Sequence, residues 1–198
     1  MNFRVLTLFV CFLVVSCKTE NINIDGSYIK EIRSNTIVTQ NGQEVALSLN
    51  QGDKIIYLVR HAEKDTIPSK RNPILTEAGY QRSYNLANIL KKTKIDAIYS
   101  TLYNRTMHTV DSLGSAKGLS TKIYQPKDLK KLANDILSDN KTNTVIISGH
   151  SNTTPGLANV FLEQKILNKS FDETDYDNLL VINITKNGYK KLYKIKYK

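Results

Sequence analysis

Residues 55–64 read Ile55-Ile56-Tyr57-Leu58-Val59-Arg60-His61-Ala62-Glu63-Lys64, five apolar side chains without a break and then five residues of which four ionise. An unbroken apolar run of strand length is what a strand covered on both faces requires. Its abrupt polar end marks the strand's carboxyl terminus, and in open α/β sheets ligands bind outside those termini.

Working outward from that strand, the chain alternates. Thr76 to Lys92 has helical spacing, with Leu86, Ala87, Ile89 and Leu90 on one side, Thr76 as N-cap and Glu77 in the first turn. Strands are expected at Ile95–Tyr99, Thr121–Tyr124 and Thr144–Ser148, and helices at Tyr103–Lys117, Lys127–Ser138 and Thr154–Gln164, the last with Pro155 in its first turn. Leu179–Thr185 and Tyr189–Tyr197 pair as strands around Asn187-Gly188. Upstream, Ser27–Leu49 carries β-branched and apolar residues on both sides of Asn41-Gly42, the pattern of a hairpin. The expected fold is an α/β three-layer sandwich with a mostly parallel central sheet and a small N-terminal β-hairpin extension.

Three strand ends carry the chemistry: Arg60-His61, then Ser100-Thr101 leading to Arg105-Thr106, then Gly149-His150-Ser151-Asn152 before a helix start. Two arginines, two imidazoles and a helix N-terminus suit a phosphoryl group, because guanidinium forks match phosphate oxygens and amides at a helix start add donors. One imidazole can attack phosphorus while the other donates hydrogen bonds to the transition state. Attack needs a neutral nitrogen, which flanking positive charges favour.

These residues resemble the histidine phosphatase superfamily, with its phosphoglycerate mutase-like fold. The likeness rests on Leu58-Val59-Arg60-His61-Ala62-Glu63-Lys64, Leu75-Thr76-x-x-Gly79, Tyr99-Ser100-Thr101 with Arg105-Thr106-x-x-Thr109, and Gly149-His150-Ser151-Asn152, in that order across residues 53–185. The resemblance implies that His61 is the nucleophile, that Arg60 and Arg105 bind the phosphoryl group, and that His150 completes the pocket. It implies transfer from an ester to His61 and then to water, with no cofactor and no metal. Departure of an alkoxide needs a proton donor. Some families in the group place this acid after the third strand, where Asp128 stands; Glu63, two residues after the nucleophile, is the rival. Lys64 and Asn152 are candidates for the pocket mouth, His108 for a rim or surface position, and the acidic segment 172–177 for a solvated loop or, alternatively, a part of the mouth.

Composition narrows the class. The balance of 40% hydrophobic and 23% charged residues excludes collagen-like and disordered chains. Both cysteines, Cys11 and Cys17, lie in the first 17 residues, so the rest of the chain supports neither a disulfide framework nor a cysteine zinc site. Residues 1–16, with Arg4 before an apolar run at Val5–Val15 too short to span a bilayer, read as a lipoprotein signal peptide with Cys17 as the lipid-modified residue. Residues 17–50 then form a polar tether and the hairpin, and residues 51–198 the phosphatase domain. Of 28 basic and 18 acidic residues the signal removes only Arg4, which leaves +9 on the remaining 182. The tail alternates Lys194, Lys196 and Lys198 with Tyr193, Ile195 and Tyr197, the form of a lysine-protected edge strand, so no nucleic-acid partner is expected. The expected protein is a lipid-anchored enzyme of the bacterial cell envelope, hydrolysing a small phosphorylated substrate outside the cytoplasm. Alternatives are a phosphatase of protein phosphohistidine and a non-catalytic anion-binding lipoprotein.

Overall fold

The computed structural model describes residues 19–198, apart from the side chains of residues 23 and 25–27. The expected signal peptide and Cys17 lie outside the described residues. No helix among the described residues is long and apolar enough to cross a membrane.

The chain opens with β1 (Thr19–Arg33), β2 (Thr36–Thr39) and β3 (Glu44–Ala46), each antiparallel to the one before. The β2–β3 turn uses Asn41-Gly42 as expected, with Gly42 at φ +86°, a left-handed conformation open to glycine at little cost. Next come β4 (Lys54–Arg60) and a two-residue ladder, β5 (Lys64–Asp65) with β6 (Ile74–Leu75), which closes the loop between them. Helix α1 (Glu77–Ile89) starts where the Thr76 hydroxyl accepts from the Gly79 amide. Then follow β7 (Ala97–Ser100), α2 (Asn104–Lys117), β8 (Thr121–Ile123), α3 (Leu129–Ser138), β9 (Thr144–Gly149), α4 (Thr153–Leu162), β10 (Asn178–Ile184) and β11 (Lys190–Lys196). Pro155 is the third residue of α4, still inside the turn whose amides have no intrahelical partner.

The nine long strands form one sheet in the order β3-β2-β1-β11-β10-β4-β9-β7-β8. From β4 through β9 and β7 to β8 the pairing is parallel, and β10 joins β4 antiparallel. The apolar run in β4 is continuous because its two faces meet different layers. Ile55, Tyr57 and Val59 join a core with Leu86 of α1 and Val110 and Leu113 of α2. Ile56 and Leu58 join another with Leu132 and Ile136 of α3 and Leu157 and Phe161 of α4. This is the expected three-layer sandwich.

Two expectations need correction. Residues 19–26 are not a tether; they form the first half of β1, parallel to β11 from Thr19↔Lys190 to Asn23↔Lys194. The period-two alternation Asn21-Ile22-Asn23-Ile24 carries this strand, and Ile24 is buried. Consequently β11 is not an edge, since β10 and β1 occupy both its sides. Its alternation still holds, with Tyr193, Ile195 and Tyr197 buried. Several tail lysines are met by acids, Lys196 by Asp175 and Asp177 and Lys190 by Glu163.

Candidate active site

The β4–β9 register sets Arg60 opposite Gly149, and the ladder runs one residue further through the His61 amide, which donates to the Gly149 carbonyl at 2.9 Å. His61 and His150 thereby stand side by side, their ring centroids 5.7 Å apart in an edge-on arrangement. The next amide, of Ala62, donates to Thr109 Oγ1 of α2 at 2.8 Å. His61 is 3% exposed, and its Nδ1 lies 2.8 Å from the Ala62 carbonyl. A carbonyl only accepts, so Nδ1 carries the hydrogen and Nε2 keeps its lone pair. Burial pushes the ring's pKa down to about 3; the bond to Ala62 opposes this, while the charges of Arg60, Arg105 and His150 add to it. His61 is therefore neutral at any ordinary pH, as a nucleophile must be.

His150 is held from both sides. Nδ1 faces Arg105 Nη2 at 3.4 Å and Nε2 faces Thr101 Oγ1 at 3.0 Å. Guanidinium has donors only, so Nδ1 is the acceptor and Nε2–H donates to Thr101. The Thr101 hydroxyl in turn meets Thr106 Oγ1 at 2.8 Å, and both threonines are fully buried. Burial, then Arg105, Arg60 and Lys64, bring His150 down to about 4.

Arg60 is 1% exposed and its guanidinium is gripped by the segment before β10. Nη1 donates to the carbonyls of Asp172 and Asp175, Nη2 to Glu173 Oε2 at 3.2 Å, and the Tyr176 ring lies 4.4 Å from Cζ. Arg105 rests 4.6 Å over the Tyr103 ring. The Nε atoms of both arginines are buried without a hydrogen-bond partner. Two guanidinium groups with unpaired donors beside two neutral imidazoles make a site short of negative charge, into which a phosphoryl group fits. Among the described residues no group of three or more His, Cys, Asp or Glu is arranged to hold a metal.

The expected site residues separate into those gathered here and those placed elsewhere. His61, His150, Arg60 and Arg105 meet, and Lys64 reaches their edge through Glu173 at 3.3 Å. Glu63 turns to α1, where Arg82 Nε and Nη2 donate to both its oxygens at 2.7 to 3.1 Å. Burial alone would raise the Glu63 carboxyl, but the Arg82 bonds outweigh it and hold it below the ordinary value. A carboxyl kept ionised in this way is a poor proton donor. Asp128 lines a groove with Tyr99, Tyr124, Gln125, Lys131 and Asp135, a groove whose lining includes none of His61, His150, Arg60 and Arg105. Asn152 is exposed at the start of α4 and makes no capping bond, while His108 stacks on Tyr80 between α1 and α2. Sequence reasoning passed over Tyr103, Tyr176 and Glu173 as individual residues; the cluster of acids at 172–177 was the available signal for the last. The motif glycine Gly79 has a steric cause, since a Cβ there would fall 2.4 Å from the Glu63 carbonyl oxygen.

Comparison with known proteins agrees with this geometry. The family model described as histidine phosphatase superfamily (branch 1) matches residues 56–133, the stretch from β4 into α3. No curated protein matches the chain in sequence. Among solved structures, a mycobacterial glucosyl-3-phosphoglycerate phosphatase, Rv2419c, is similar with a TM-score of 0.54 at 11% identity, over 73% of this chain and 98% of its own. The protein histidine phosphatase SixA in complex with tungstate is similar with a TM-score of 0.54 at 16% identity, over 72% of this chain and 96% of its own. At such identities these likenesses show the fold.

Proposed function

We propose, from the match to the histidine phosphatase superfamily and the pocket around His61, that the protein hydrolyses a phosphomonoester through a phosphohistidine on His61. The observation that carries this is the pairing of a neutral His61, Nδ1–H tied to Ala62 and Nε2 free, with Arg60, Arg105 and His150 around it. The phosphoryl oxygens take the guanidinium donors, Nε2 attacks phosphorus, and His150 gains a proton as dianion binding raises its proton affinity, so that it donates to the flattened transition state. Water then attacks phosphorus and frees His61.

The substrate, its location and the anchor belong to the proposal as well. The signal-like segment 1–16 and Cys17 favour a lipid-anchored enzyme of the cell envelope acting outside the cytoplasm. Incorporation of a labelled lipid precursor in cells, lost in Cys17→Ser, is the expected result; label retained in that variant contradicts the anchor.

Turnover tests the activity. The protein should hydrolyse p-nitrophenyl phosphate, and His61→Ala should not. A panel of sugar phosphates, nucleotides, inositol phosphates and a phosphohistidine-carrying protein separates a small ester from a phosphoprotein as donor. Inactivity of the wild type on every member, with phosphate still bound, overturns the enzymatic reading in favour of an anion-binding protein.

A further inference from the structure

An alkyl phosphate releases an alcohol that leaves as its alkoxide only with difficulty, so the first transfer needs a proton at the ester oxygen. Of the carboxyls around the pocket, Glu63 has both oxygens engaged by Arg82, and Asp175 and Asp177 pair with Lys196. Asp128 sits in its own groove. Glu173 differs from all of these. Its Oε2 lies 3.2 Å from Arg60 Nη2 and 3.3 Å from Lys64 Nζ, and its Oε1 lies 3.4 Å from Ser151 Oγ. Those partners stand at the end of β4, in β5 and in the turn into α4, the elements that flank His61 and His150. The Glu173 side chain is 70% exposed, so it exchanges protons with solvent. One more fact sets it apart: its strongest partner, Arg60, is a cation that an incoming phosphoryl group also seeks.

We propose that Glu173 is the general acid and base of the reaction, a role that rests on the phosphatase reading above. In the resting pocket Arg60, Lys64 and the more distant Arg105 face it and hold it ionised, with Tyr176 beside it in the same loop. Substrate binding withdraws Arg60 to the phosphoryl oxygens. Glu173, which keeps Lys64 beside it, then has a dianion where Arg60 stood and takes a proton from solvent. The His61 Nε2 lone pair forms the N–P bond, the ester P–O bond breaks with its electrons on oxygen, and the Glu173 proton moves to that oxygen, so the alcohol leaves neutral. In the second step the Glu173 carboxylate takes a proton from water as the water oxygen bonds to phosphorus and the N–P electron pair returns to Nε2. Phosphate departs, Glu173 gives its proton to solvent and pairs again with Arg60.

The test compares Glu173→Gln with wild type on two esters, p-nitrophenyl phosphate and glycerol phosphate. The quantity to compare is kcat/KM, which reports transfer to His61 and not the later hydrolysis. An activated aryl leaving group needs no proton, so its kcat/KM should fall by less than about tenfold, while that of the alkyl ester falls by about 10²–10³-fold. Glu173→Asp, which keeps the acid, should recover part of the alkyl activity. Equal losses on both esters would make Glu173 an orienting residue and overturn the proposal, as would a gain on both, which would mean that Glu173 only competes with phosphate for Arg60. Either of those results leaves the phosphatase reading standing. A wild type inactive on both esters overturns the reading and the proposal together.

Discussion

Strand β4 has a buried polar cluster at each end, and the two are built to opposite rules. At its start, Asp53 accepts from Ser48 Oγ, the Asn50 amide and the Lys186 amide at 2.7 to 2.9 Å. Asn183 accepts from the Ser48 amide and donates to the Ser48 and Lys54 carbonyls, and Lys54 Nζ donates to the carbonyls of Asp139 and Thr142. The carboxylate, the amide and the ammonium there are thus met from within the chain. At its end, Arg60 and Arg105 keep unpaired Nε donors, and two imidazoles are held neutral beside them. A buried polar group left unpaired costs about 1–3 kcal/mol, and of these two clusters, among the described residues, it is the one at the strand's end that carries unpaired guanidinium donors. The start of the strand is built to hold the sheet together; on the proposed function, the end receives an anion.

Substitution at the two ends should therefore give opposite phenotypes. His61→Ala removes the attacking nitrogen and is expected to cost about 10⁴-fold or more in turnover of p-nitrophenyl phosphate, with the fold intact by circular dichroism. Arg105→Ala should lower kcat/KM by about 10²–10³-fold and leave the denaturation midpoint within about 1 kcal/mol of wild type, because it removes a charge whose neighbours include a second guanidinium. Asn183→Ala reverses the pattern: a loss of about 2–4 kcal/mol in urea unfolding, with kcat at saturating substrate changed less than about threefold. A catalytic defect in Asn183→Ala larger than its loss of folded protein would break the division between the ends.

Stability should also depend on pH through the catalytic end. His61 and His150 bind protons near 3 and 4 when folded, against about 6.5 for an unperturbed imidazole. Between those limits the unfolded chain holds more protons, so stability is present in full above about pH 6.5 and falls as pH drops from there towards 4, by up to a few kcal/mol. His61→Gln should flatten that slope in thermal melts taken from pH 7 to 4.5; an unchanged slope would show that other groups cause it. The smallest expected effect, about 1–3 kcal/mol of lost stability, belongs to Gly79→Ala, where the new Cβ displaces α1 from the Glu63 carbonyl.

What the sequence made legible was local. The apolar run of β4, the Thr76 cap and the Asn41-Gly42 turn are each decided by neighbouring residues. The strand ends that bear Arg60, His61, Arg105 and His150 followed from the same alternation together with the family resemblance. What stayed hidden was long-range. Asn21 to Ile24 alternates as a strand does, yet only its partner β11, at the far end of the chain, turns the segment from tether into sheet. Glu63 reads as a catalytic candidate until Arg82, on the next helix, is seen to grip it. Glu173 stands 113 residues from Arg60, and no spacing rule joins them.

The central claim is that His61 carries the phosphoryl group. Mixing the protein with p-nitrophenyl phosphate, quenching in alkali within milliseconds and mapping peptides by mass spectrometry tests it directly, because phosphohistidine survives alkali and is lost in acid. The predicted result is one added phosphoryl group on the peptide that holds His61, labile to acid and absent in His61→Ala. Full turnover with the phosphoryl group on His150, on a serine, or on no residue at all would contradict it.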